Sequence, residues 1–221
     1  MSGRAARAGI PFVVAAPSGT GKTTVCRLVV ARDPEIEFSV SHTTRASRPG
    51  ERDGVDYHFV TPEEFERLVA KDAFLEWAVY HGNRYGTSWA ELDRPLVRGR
   101  DVLLEIEIQG ARQVRERRPD ARLIFLVPPS LGVLERRLRS RQTESEQDVT
   151  ARLELARQEL AGADGCFHYA VVNDDLEHCV ARVLEILAAE RGGGAEALRR
   201  RFDPGRALAA LRGAASAGPI G

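Results

Sequence analysis

The sequence predicts an α/β fold: a parallel sheet flanked by helices, carrying a small mixed α/β lobe and a helical lid. Three observations predict it. β-rich apolar segments alternate with helical patterns along most of the 221 residues, as a parallel sheet covered by crossover helices does. One junction, Ala16–Thr24 (APSGTGKTT), leads from an apolar strand pattern through a glycine-rich loop into the helical pattern Val25–Val30. Two insertions of different character interrupt the alternation, one mixed and one helical and charged.

The core strands are predicted at Phe12–Ala16, Phe38–Ser41, Val102–Ile108, Leu123–Val127 and Ala170–Asn173. After the second strand comes the mixed lobe. Tyr57–Val60 reads as a strand, and Thr61-Pro62-Glu63-Glu64 opens a helix, with Thr61 as N-cap, Pro62 at the first helical position and Glu64 closing a capping box. Leu75–Tyr80 and Arg84–Thr87 read as short strands joined by the turn His81-Gly82-Asn83. Ser130–Arg141 and Gln147–Leu160 are charged helices separated by a polar stretch around Thr143–Glu146, where a mobile lid would sit. Asp175–Arg191 is an amphipathic helix, with Leu176, Val180, Val183, Leu184 and Leu187 at helical spacing. Gly192-Gly193-Gly194 reads as a flexible linker to a tail. The expected organisation is therefore an extension (1–9), one domain (10–191) and a flexible tail (192–221). Within the domain the core is 10–41, 101–129 and 163–191, the lobe 42–100 and the lid 130–162.

The strand–loop–helix junction is a P-loop, built to grip nucleotide phosphates. The loop of Ala16, Pro17, Ser18, Gly19, Thr20 and Gly21 surrounds phosphate oxygens with the backbone N–H groups of its non-proline residues, and the helix N-terminus adds partial positive charge. Lys22 reaches the β/γ-phosphates and the Thr23 hydroxyl meets magnesium, the expected cofactor ion. Ala16 stands where the pattern usually has glycine, and alanine does not easily take positive φ.

Composition narrows the partners. The 32 basic and 32 acidic side chains give zero net charge, so no global field favours nucleic acid or an anionic membrane. No apolar run approaches the ~20 residues of a membrane span. A signal peptide would remove the phosphate loop, so none is expected. Cys26, Cys166 and Cys179 have no metal-ligand spacing and read as buried thiols of a reduced cytoplasm.

Several separate blocks together resemble the guanylate kinase family up to the triple glycine. They are APSGTGKTT (16–24), FSVSHTTRASRPGE (38–51), DYHFV (56–60), FLEWAVYHGNRYGT (74–87), LLEIEIQGA (103–111), RLRSRQTE (137–144) and VVNDD (171–175). The departures are Ala16 for glycine, Gln142 where glycine is frequent, and Glu107 where aspartate is common. The resemblance implies a kinase that moves the ATP γ-phosphate to GMP, and to dGMP, in guanine nucleotide synthesis and recycling. The mixed lobe would bind GMP.

It also implies residue roles. Ser41, Arg45, Arg48, Tyr57 and Tyr85 match the positions around the GMP phosphate, where planar arginine forks suit a dianion. Glu76 matches the base reader: guanine offers N1–H and N2 amino donors side by side, whereas adenine N1 presents a lone pair. Thr87 and Glu105 would support it. Glu105 and Glu107 read as two carboxylates on one face of a strand, near magnesium-bound water and GMP, with Glu107 in an outer role. Arg137, Arg141 and Arg152 match lid arginines that stabilise the transferring phosphoryl group. Asn173 and Asp174 match positions near the ATP adenine. The five histidines need no catalytic role, because the attacking phosphate oxygen is already ionised. Two alternatives stand beside this reading: another monophosphate kinase, which Glu76 argues against, and a non-catalytic binding module. Such modules lose the phosphate loop and lid arginines, and this chain keeps both.

Overall fold

The computed structural model describes residues 7–80, 82–140, 146–163 and 165–216. Its elements run β1 (Pro11–Ala15), α1 (Lys22–Arg32), β2 (Ile36–Phe38), β3 (His42–Thr43), β4 (His58–Phe59), α2 (Pro62–Ala70), β5 (Phe74–Tyr80), β6 (Asn83–Ser88) and α3 (Trp89–Leu96). They continue with β7 (Asp101–Glu105), α4 (Ile108–Arg117), β8 (Arg122–Val127), α5 (Leu131–Arg139), α6 (Glu146–Gly162), β9 (Tyr169–Val172), α7 (Leu176–Gly192), α8 (Ala195–Arg201) and α9 (Pro204–Ser216). A five-stranded parallel sheet has the order β2-β7-β1-β8-β9, and a small mixed sheet the order β4-β3-β6-β5. The predicted α/β class, with its parallel sheet and mixed lobe, is the observed one.

The chain divides into two compact units. One takes the chain up to Val13 together with Pro34–Ala121; the other takes Val14–Asp33 and the chain from Arg122 on.

In the first unit, β3 pairs parallel with β4 and antiparallel with β6, and β5 pairs antiparallel with β6. Phe65 on α2 stacks on Phe74 of β5 at 4.5 Å, which closes the apolar face of the mixed sheet. Thr61 caps α2 as expected, its hydroxyl accepting from Glu64 N at 3.1 Å. The Glu64 carboxylate itself pairs with Arg67 one turn on. β5 and β6 enclose the predicted turn; Gly82 there has φ +75°, and His81 lies outside the described residues.

Two expectations need correction in this unit. The strand predicted at Phe38–Ser41 ends at Phe38, and Ser41 lies in the segment leading to β3. The strand predicted over Val102–Ile108 stops at Glu105, so Glu105 and Glu107 do not share a strand face. Glu107 is the N-cap residue of α4. The alternation Leu-Glu-Ile-Glu-Ile imitates a strand, but Ile108, Ala111 and Val114 are buried at helical spacing and carry the segment into α4.

In the second unit, α5 begins at Ser130, whose hydroxyl accepts from Val133 N at 3.1 Å, and Leu134 and Leu138 pack with Val149 and Ala156 of α6. These are the two charged helices predicted for the lid; the stretch 141–145 between them lies outside the described residues. Asp175 caps α7.

The tail is the larger correction. Instead of a flexible extension it forms α8 and α9, with Phe202, Leu208 and Leu211 buried. The Phe202 carbonyl accepts from Ala170 N of β9 at 2.8 Å, so it covers an N–H of the edge strand. The buried Glu190 carboxylate on α7 receives Arg122 Nε at 2.7 Å, Arg199 Nη2 at 2.8 Å and the Tyr169 hydroxyl at 2.5 Å. That hub joins β8, β9, α7 and α8.

Candidate active site

The buried strand β1 leads into the loop Ala16–Gly21, which with α1, starting at Lys22, belongs to the second unit. Gly19 (φ +85°) and Gly21 (φ +92°) take left-handed backbone. A Cβ on Gly19 would also lie 2.7 Å from Leu138 Cδ2, so glycine is required there twice over. Ala16 is not strained: among the described residues Asp72 is the one non-glycine with positive φ. No acidic residue sits in the first turn of α1, which leaves the positive helix end facing the loop. Thr23 is exposed at that end.

The loop is held from the residue that follows β9 and from α5. Asn173, 4% exposed, donates from Nδ2 to the Thr20 carbonyl at 2.6 Å. Arg137 donates to the same carbonyl at 3.4 Å and to the Asn173 carbonyl at 3.0 Å. Asp174 accepts from Asp175 N at 2.9 Å and Arg182 Nη1 at 3.0 Å; these bonds hold its carboxyl below the usual range, the backbone N–H contributing most. The buried Thr20 Oγ1 has no partner among the described residues, a polar atom left in the cradle itself. Arg152 is half-buried on α6, and Arg141 and Gln142 lie outside the described residues.

The first unit gathers a second set. Glu76 on β5 is 3% exposed, and its Oε1 accepts from Thr87 N at 2.9 Å. Thr87 Oγ1 and Ser41 Oγ are 3.3 Å apart. Arg45 donates from Nη2 to Glu51 Oε1 at 2.8 Å and from Nη1 to the Ala46 carbonyl at 2.7 Å. Its guanidinium lies over the Tyr57 ring, 5.3 Å from the centroid, and Tyr57 meets Tyr85 edge-on at 6.0 Å. The Glu51 ion pair raises Arg45 above its usual value and lowers Glu51 below the carboxylate range. Arg48 is exposed, while its backbone N–H donates to Glu51 Oε2 at 2.8 Å. Beside Ser41, burial and the neighbouring His58 ring push His42 down to about 4.

A buried carboxylate suits a base with paired donors, and an arginine over the Tyr57 and Phe59 rings suits an anionic group. A phosphate loop in the other unit can take a polyphosphate. The family model "Guanylate kinase" matches residues 8–190. Guanylate kinase of Syntrophotalea carbinolica is 48% identical over 200 residues, covering 90% of this chain and 93% of its own. That of Synechococcus sp. is 51% identical over 79% of this chain and 80% of its own. The chain belongs to the guanylate kinase family. Among solved structures, guanylate kinase from Anaplasma phagocytophilum superposes with a TM-score of 0.68 at 35% identity, covering 83% of this chain and 86% of that one.

The guanylate kinase match spans every candidate site residue and stops inside α7, so α8 and α9 lie beyond it. The candidate residues sort by unit. Ser41, Arg45, Arg48, Tyr57, Glu76, Tyr85, Thr87, Glu105 and Glu107 fall in the first; Ala16–Thr23, Arg137, Arg152, Asn173 and Asp174 fall in the second. Two residues escaped the sequence reading. Glu51 holds Arg45 and Arg48; its signal was a carboxylate six and three residues after two arginines in a Gly/Pro-bounded loop. Gly110 approaches Glu76 so closely that a Cβ there would lie 2.3 Å from Oε2. No local pattern announces that contact.

Proposed function

We propose that the chain transfers the γ-phosphate of ATP to GMP and dGMP, giving ADP and the guanosine diphosphate. The family supports the reaction, and the buried Glu76 carboxylate supports the choice of base. Thr87 N donates to Oε1 at 2.9 Å and fixes the carboxylate, and one carboxylate can accept from the guanine N1–H and N2 amino group together. Adenine would set its N1 lone pair against that charge, and a site built on such bonds rejects the wrong base by a factor on the order of ten thousand.

Arg45 and Arg48 bind the acceptor phosphate, with Ser41, Tyr57 and Tyr85 completing its shell, and Thr87 and Glu105 support the guanine side. The loop Ala16–Gly21 cradles the donor phosphates, Lys22 contacts the β/γ oxygens, and Asn173 and Asp174 stand at the adenine end. Arg137, Arg141 and Arg152 neutralise charge on the transferring group. No general base is needed, since the attacking phosphate oxygen is already ionised; catalysis is positioning plus charge stabilisation. Magnesium fits the donor set. The exposed Thr23 hydroxyl offers one ligand at the helix end, and Mg²⁺ takes most of its others from phosphates and water rather than from a protein cage. When bound it neutralises the donor phosphates. Glu107, at the start of α4, keeps an outer role. Buried free thiols at Cys26, Cys166 and Cys179 support a reducing, cytoplasmic setting, and no helix among the described residues is long and apolar enough to cross a membrane.

The test is ADP release with MgATP and, in turn, GMP, dGMP, AMP, CMP, UMP and dTMP. GMP should exceed the non-guanine acceptors in kcat/KM by at least a thousandfold. Comparable turnover of AMP would overturn the assignment.

A further inference from the structure

Residues Arg45–Glu51 lie outside helix and strand, so side chains must order the loop that carries both arginines. One residue makes most of those bonds. Glu51 Oε1 accepts from Arg45 Nη2 at 2.8 Å and Oε2 accepts from Arg48 N at 2.8 Å, while Glu51 N donates back to the Arg48 carbonyl at 3.0 Å. The carboxylate thus ties the head group of one arginine to the main chain of the other. The pair is well shielded, at 14% and 19% side-chain exposure, which separates it from the solvent-exposed ion pairs that contribute little.

We infer that Glu51 is the positioning residue of the acceptor-phosphate site, setting the Arg45 fork and the Arg48 backbone before the monophosphate arrives. The inference rests on the proposed kinase reading and names the group that prepares its acceptor end. The guanidinium is fixed from three sides: Glu51 at Nη2, the Ala46 carbonyl at Nη1, and the Tyr57 and Phe59 rings at 5.3 and 5.9 Å. The Arg45 backbone is also anchored, its N–H donating to the buried Thr43 hydroxyl at 3.1 Å. Arginine carries five N–H donors, so donors remain for a phosphate after these bonds are made. Orientation in advance lowers the ordering entropy of binding.

The opposite expectation is that a carboxylate beside an anion site repels the anion. Both Glu51 oxygens already receive N–H groups, one of them cationic, so its charge is compensated where it stands. The two ideas predict opposite signs. Glu51→Ala should raise the GMP KM about thirtyfold, with kcat within threefold and the ATP KM within twofold, because the donor cradle belongs to the other unit. Glu51→Gln keeps the size but offers one acceptor oxygen, so it should raise the GMP KM about fivefold. Calorimetric titration of the full chain with GMP and with guanosine should show the loss for GMP alone. An unchanged or lowered GMP KM in both variants overturns the inference. So does a fall in kcat together with a rise in both KM values and a lower thermal midpoint, which marks a structural role. If Glu51→Ala does not fold, Glu51→Gln decides. A wild-type protein that turns over no GMP removes the kinase reading instead; titrating AMP against adenosine then tests Glu51 on the phosphate alone.

Discussion

Replacing Gly110 by alanine should injure guanine recognition while leaving the fold intact. Gly110 lies on α4, and the added Cβ would sit 2.3 Å from Glu76 Oε2 and 3.1 Å from Cδ. Ordinary C···O contacts are about 3.3 Å, so roughly 1 Å of movement is needed. The helix cannot supply it easily, because Gln113 donates to the Trp77 carbonyl at 2.8 Å and accepts from Trp77 N at 3.1 Å, fastening α4 to β5 one residue from Glu76. The strand is equally fixed by its pairing of Glu76 with Thr87. Movement therefore falls on the carboxylate, which loses the position proposed for reading the base and its bond from Thr87 N. A misplacement of about 1 Å is worth on the order of a hundredfold in rate, and a charge-assisted hydrogen bond about 1.5–3 kcal/mol, a similar factor. Meanwhile alanine favours a helix by about 1 kcal/mol over glycine, offsetting part of the strain. Steady-state ADP release should show kcat/KM for GMP about a hundredfold lower, the ATP KM within twofold, and a thermal midpoint shifted by only a few degrees. Unchanged GMP kinetics would refute the claim that Glu76 is held by this contact.

Two further outcomes follow from the tail and from His42. Truncation after Gly192 removes Phe202, Leu208 and Leu211 from their buried sites and strips Arg199 from Glu190; at about 1.5 kcal/mol or more per side chain, stability should fall by roughly 4 kcal/mol. At 2–4 °C per kcal/mol for a chain of this size the melting midpoint drops by about 10 °C, and an unchanged midpoint would mean that α8 and α9 do not dock. His42 is held near 4 against 6.5 by burial and then by His58, with Glu91 and Asp53 opposing. The unfolded chain takes the proton first, so the stability present above pH ~6.5 is lost as pH falls toward 4, by about 1–2 kcal/mol once solvent screening of the half-buried ring is counted. Urea midpoints of His42→Gln should fall less steeply over that range than those of the parent; equal slopes would locate the acid sensitivity elsewhere.

What could be read from the sequence was local. The phosphate loop was legible because its glycines answer a backbone need, and the Thr61 cap because a short polar side chain before a helix has few other uses. Leu103–Ile108 misled because two-residue alternation over so short a run also fits the entry to a helix. The triple glycine misled for a similar reason: Gly193 (φ +84°) is the left-handed C-cap of α7 and Gly194 the N-cap of α8, so a helix stop looked like a linker. The tail's apolar residues are too sparse to form a visible stripe, and α8 and α9 find their partners on α7, β8 and β9 once the chain is folded. Glu51 and Gly110 act through contacts that appear once the chain is folded, and Glu51 lay in a loop where two arginines drew the attention. Ala16 posed a question that only φ could answer.

The central claim is that a buried carboxylate at position 76 selects the base. Glu76→Gln keeps the size but replaces one acceptor by a donor NH2, so it cannot accept from both guanine donors and no longer confronts adenine N1 with charge. The measurement is kcat/KM for GMP and for AMP at saturating MgATP, in the parent and the variant. The account predicts a loss for GMP of several kcal/mol, beyond the ~1 kcal/mol of a neutral hydrogen bond, and a GMP/AMP ratio that falls by at least a hundredfold. An unchanged ratio would contradict it, because the base would then be read by other residues.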